Sequence, residues 1–205
     1  QQQGANEHDE QAALNLLRAR LLEGFKETRV AEGHYVLRDL SFEYEQLKAL
    51  VERHRESDPL ALSYLPALVD EAYRQGLSVL DDALELARAT SSPKDQRLEA
   101  EIGELEARVR AAAAKAGDGR RVHLLQESLA ALRHRQDVIG KERVRLEELL
   151  QHASRCEAAL NETRVELAAL KAESWTVSVN SVLETLQKTI ERAKAVQEEM
   201  RRLGY

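Results

Sequence analysis

The sequence predicts an all-α protein, drawn as an elongated antiparallel helical bundle with a coiled-coil hairpin arm. Three observations carry that expectation. Aromatic residues make up only 4% of the chain, while 32% of its 205 residues are charged. Three prolines and nine glycines leave few breakers. Apolar residues recur three and four apart along most of the length, the period of an amphipathic helix. A chain rich in Ala, Leu, Glu, Arg and Lys with this period forms long helices. Such helices bury a stripe and leave the rest of their circumference wet. A thin, Leu-rich seam without a large globular core is therefore expected.

Residues 1–92 are expected to form an acidic helical segment, with helices at about 9–31, 35–56 and 66–90. Residues 1–8 are polar and read as frayed. Leu14, Leu17, Leu21 and Phe25 open the first stripe, and Leu37, Leu40, Tyr44, Leu47 and Val51 form the second. Gly24 and Gly33 invite a bend, because an interior glycine costs up to about 1 kcal/mol relative to alanine. No proline intervenes, so one continuous helix is also compatible with this region. Asp58 with Pro59, and then Pro66, fit helix starts, since proline is tolerated in a first turn. Leu65, Val69, Ala72, Tyr73, Gly76, Leu80, Leu84 and Ala87 continue as a third stripe. Gly76 lies on it, and reads as a small residue that lets a neighbouring helix approach.

Residues 93–172 read as a coiled-coil hairpin. Ser92 and Pro93 open its first arm, and Leu98, Ile102, Leu105 and Val109 fall at heptad spacing. Gly117, Asp118 and Gly119 make the best turn signal in the chain. A reversal there would set Leu98, Ile102, Leu105 and Val109 against Leu125, Leu129 and Leu132, the candidate interaction residues. In the long helix that follows, Leu125, Leu132, Ile139, Leu146, Ala153, Leu160 and Leu167 recur every seven residues. The companion row is mostly polar, and Leu149, Cys156 and Leu170 add a second flank further along. That drift is what a nearly straight helix shows when several partners cover it in turn. Gly140, in the middle, reads as a tolerated exposed glycine.

Residues 173–205 read as a C-terminal helix returning to the bundle. Trp175, Val177 and Val179 alternate like a strand, but Trp175, Val179, Val182, Leu186, Ile190 and Ala193 keep helical period for longer. A break is expected between Ala172 and Ser181, with the helix starting near Ser174 or restarting near Ser181. Trp175 either fills a wide layer of the bundle or anchors a partner, since aromatic residues dominate binding hot spots.

Charge excludes more than it identifies. Residues 1–92 carry 10 Lys and Arg against 17 Asp and Glu, and residues 93–205 carry 20 against 19. A nucleic-acid partner is not expected without a basic excess. The single cysteine, Cys156, permits no intrachain disulfide and fits a reducing, cytoplasmic compartment. No apolar run is long enough to span a membrane. The chain opens QQQGANEHDE without a methionine. This reads as a processed or trimmed start, which leaves a membrane-anchored or periplasmic location open and membrane contact to a part outside this chain.

Catalytic and cofactor motifs are missing. There is no glycine-rich phosphate loop and no HExxH, paired-cysteine or EF-hand spacing, so no cofactor and no metal is expected. His152 and Cys156 share a helical face, but two ligands do not make a zinc site. Cys156 as a nucleophile would need a polarised pocket that a helical seam rarely offers. The surroundings of His134 lack the acidic residue and proline that usually follow a phosphoacceptor histidine, and Asn161-Glu162-Thr163 is a glycosylation sequon only in a secreted chain.

The periodicity resembles that of many bacterial coiled-coil scaffold, tether and membrane-associated assembly proteins, a likeness of composition. The leading expectation is a non-enzymatic helical scaffold that self-associates or binds a protein partner. A helical signal-transmitting part of a membrane-anchored receptor and a membrane-remodelling helical polymer are the alternatives.

Overall fold

A computed structural model describes residues 2–54, 64–92, 95, 97–114, 119–169 and 175–202, with side chains placed for 11–53, 64–92, 95, 97–114, 119–169 and 180–202. The described residues form an all-α bundle without strands. Its helices are α1 (Gln2–Thr28), α2 (Ala31–His54), α3 (Leu65–Thr90), α4 (Leu98–Ala113), α5 (Gly119–Ala169) and α6 (Trp175–Arg202). The contacts divide the chain into two units. One holds the residues up to Leu84 and from Glu148 onward, and the other holds Glu85–Glu147. The boundaries fall inside α3 and α5.

Two helices form here, as the 9–31 and 35–56 expectation has it, but the break falls a few residues earlier. α1 starts at Gln2 rather than near residue 9, because no proline stops a helix from propagating backwards through Gly4, one hydrogen bond per residue. It ends at Thr28, and α2 starts at Ala31, so the two helices are not continuous. Neither glycine makes the turn. Arg29 does, in the left-handed region with φ 58°. The Val30 amide donates to the Phe25 carbonyl at 3.2 Å, and the Arg29 amide donates to that of Lys26 at 3.2 Å. This is a Schellman closure with arginine where glycine is usual. Gly24 and Gly33 lie inside helices and serve packing instead. A Cβ on Gly24 would stand 2.4 Å from a Leu84 methyl, and one on Gly33 would stand 2.5 Å from the Phe25 ring.

The first unit is organised around the 65–84 stretch of α3. Leu65, Val69, Ala72, Leu77, Val79, Leu80, Ala83 and Leu84 are all buried, so the apolar face is wider than the predicted stripe. A helix apolar on most sides must be covered on most sides, and four helices supply the cover. α1 brings Gly24 against Leu84. α2 brings Leu40, and α5 brings Cys156, to Gly76, where an added Cβ would stand 2.7 and 3.3 Å from them. The small residue does admit close neighbours, as expected. α6 reaches α3 through Gln197, whose Nε2 donates to Ser78 Oγ and, at 3.2 Å, to Asp82 Oδ2. The expected absence of a large core is therefore wrong for this unit. Phe25, Leu37, Leu47, Leu149, Leu160 and Leu186 are buried as well. A heptad row viewed on one helix cannot reveal that several helices converge on another.

Polar groups on these helices pair across the interfaces. Arg20 bonds Asp81, Lys194 Nζ lies 2.8 Å from Glu71, and Arg164 Nε donates to Glu43 at 2.7 Å. Burial pushes the Glu71 carboxyl up, but hydrogen bonds from Lys194 and Gln75 and the charges of Lys194 and Arg74 outweigh it, leaving a net downward shift. Tyr44 and Tyr73 stack with ring centroids 4.0 Å apart. The Tyr44 hydroxyl donates to Asp70 at 2.8 Å and accepts from Lys48 at 2.8 Å. Its pKa is raised, first by burial and then by Asp70.

α6 is one uninterrupted helix from Trp175 through Ser181, so no restart occurs there. Its stripe is buried as predicted at Val182, Leu186, Ile190 and Ala193. The caps at Asp58, Pro59 and Pro93, the turn at Gly117 and Asp118, the position of Leu170 and the side chain of Trp175 lie outside the described residues.

Candidate functional site

In the second unit α4 lies against the first half of α5. Leu98, Ile102 and Leu129 form a buried cluster, and Leu105, Leu132 and Ile139 pack on it half-buried. Five of the predicted seam residues thus meet, joined by Ile139 from the same seven-residue row. Val109 and Leu125 are half-buried and lie beyond the cluster. Two ion pairs flank the seam. Arg133 reaches Glu106 at 2.8 Å, and Arg135 reaches Asp95 at 2.6 Å. The Asp95 side chain is only 5% exposed while its partner is 47% exposed, so this pair is partly withdrawn from water. It should therefore be screened less by salt than an open surface pair.

Other apolar side chains of this unit face solvent. Leu124, Val138 and Val144 on α5 are 57%, 42% and 55% exposed. In the first unit Tyr35 and Phe42, seven residues apart on α2, are also exposed. Their spacing was visible in the sequence. They lie off the main apolar stripe, and only burial separates such residues from core.

The candidates for chemistry fall differently. Cys156 is buried, and burial pushes its thiol up to about 12, which suppresses the nucleophilic thiolate. His152, four residues earlier, is half-buried. Burial and Arg155 lower its pKa, against Glu148. His134 is exposed, and Thr163 of the sequon is buried. Among the described residues no group of three or more His, Cys, Asp or Glu is placed to hold a metal ion. Among them no helix is long and apolar enough to cross a membrane. No protein-family model, curated protein or solved structure matches the chain.

Proposed function

We propose that the chain is a non-enzymatic helical interaction protein, and that the α4–α5 seam recruits a second copy of itself or a helical partner. One observation carries this. The seam buries three large apolar side chains, Leu98, Ile102 and Leu129, while Leu105, Val109, Leu125, Leu132 and Ile139 remain only half covered. A two-helix pairing with so thin a core is marginal alone, since helical stability comes mainly from tertiary packing of the apolar face. A further helix laid along the groove would complete it, in the helix-in-groove mode with anchors three and four residues apart. Leu124 and Val138 on α5 enlarge the apolar surface on offer.

Light scattering over a range of concentrations tests this. A dimer or larger species is expected, and it should dissociate when exposed Leu124 and Val138 are replaced by Glu, with the thermal midpoint of the monomer unchanged. A species that stays monomeric at every concentration would exclude self-association.

A further inference from the structure

A groove of about 270 Å³ runs between α5 and α6 in the first unit. Its small floor includes Ala159 and Ala193, and its walls carry Arg155 and Glu162 from α5 and Thr185, Lys188 and Arg192 from α6. Elsewhere in this unit a cation that reaches a neighbouring helix meets a carboxylate, as Arg20 meets Asp81, Arg164 meets Glu43 and Lys194 meets Glu71. The groove breaks that pattern. Arg155 and Arg192 line one space from two different helices, and neither has an ion-pair or hydrogen-bond partner among the described residues. Lys188 is held by Glu184 at 2.5 Å on its own helix. That leaves two unpaired guanidiniums, with the already paired Lys188 beside them, against a single lining carboxylate, Glu162, in a chain whose net charge is −6.

Arg155 and Arg192 are both exposed, so their mutual repulsion is screened by water, but two unpaired guanidiniums facing one groove still favour an anion that enters between them. Guanidinium groups match phosphate and carboxylate oxygens two bonds at a time, and two guanidiniums from opposite walls match a dianion. The Thr189 hydroxyl already donates to the Thr185 carbonyl at 2.9 Å. The half-buried Thr185 hydroxyl has no partner among the described residues and is available as a donor. The geometry points to a binding site for a small dianionic oxyanion, a phosphate or a dicarboxylate, clamped between Arg155 and Arg192. His152 also lines the groove and supplies a reporter. Glu148 and Glu162 on its own helix, and Arg155, Lys188 and Arg192 around the space, set its electrostatics. A bound dianion favours the charged imidazole, so the His152 pKa rises on binding.

The test follows the His152 imidazole resonances of the full chain by NMR. Inorganic phosphate and malonate are added separately at constant ionic strength, with chloride as control. A saturable shift with a raised His152 pKa is expected. A response to phosphate alone assigns phosphoryl recognition, and a response to malonate alone assigns carboxylate recognition. The Arg155→Gln/Arg192→Gln variant should bind at least about tenfold more weakly, since one charge-assisted hydrogen bond is worth about that factor. Arg192→Gln alone serves if the double variant does not fold. No saturable response to either anion, or equal affinity in the variants, would overturn the site.

Discussion

At Gly33 and Arg29 two single residues exchange the roles their chemistry suggests. Glycine is the usual left-handed residue at a helix C-terminus, yet the left-handed position is Arg29, and Gly33 sits inside α2 under the Phe25 ring. Sterics explain the exchange. The Phe25 ring, 1% exposed, would have to shift from its packed position to admit a Cβ 2.5 Å away. A non-glycine residue in the left-handed region, by contrast, costs only about 1–2 kcal/mol. Opposite effects follow for two small substitutions. Arg29→Gly should stabilise the fold by about 1 kcal/mol, because it removes that strain at an exposed position. Gly33→Ala should destabilise it by about 1–3 kcal/mol, because overpacking outweighs the gain in helix propensity. Urea denaturation of both variants measures the difference. If the glycine were the turn residue, the Arg29 change would have no benefit.

Helix α5 carries one apolar row through two environments. Leu132 and Ile139 are half-buried, and Leu146 is 9% exposed. Ala153, Leu160 and Leu167 are buried to 0%, 0% and 2%. The letters of the row barely change, so its repeat alone predicts equal weight for each leucine. Packing predicts otherwise. Leu160→Ala leaves a cavity among several helices and should cost about 2–5 kcal/mol. Leu132→Ala removes a side chain that water already reaches and should cost clearly less, with thermal denaturation giving both values. The flank that joins the row, Leu149, Cys156 and Thr163, is buried only past the point where α3 and α6 come into play. Drift of the stripe was visible in the sequence at Leu149 and Cys156. Thr163 was not, because a polar residue in a helix reads as surface until its neighbours are known.

For the molecule as a whole, the two units differ in how much they bury. The first has α3 covered by α1, α2, α5 and α6. The second rests on a seam with three buried apolar residues, Leu98, Ile102 and Leu129, at its centre. Local opening free energy follows buried apolar contact. Backbone amides of α4 should therefore exchange with deuterium well before those of α3 between Val69 and Leu84. Native-state exchange measured by mass spectrometry checks this, and equal protection of the two segments would show that the chain unfolds as one cooperative block. If the seam recruits another helix, α4 should gain protection as protein concentration rises, while the buried part of α3 should not change.

Helical class, the approximate bounds of α2, α3 and α6, the pairing of Leu98, Ile102 and Leu105 with Leu129 and Leu132, and the helical character of the 175–186 stretch could all be read from residue order. Each depends on periodicity within one segment or on two segments joined by a short connection, and such information is local. The turn at Arg29, the tight contacts at Gly24 and Gly33, the central place of α3 and the groove that Arg155 and Arg192 both line could not. Each depends on which side chains approach from residues distant in the chain, as Leu84 does to Gly24 or Cys156 to Gly76. A single helix shows which face is apolar. What covers that face, and what space is left between the covering helices, is settled only when the helices are in place together.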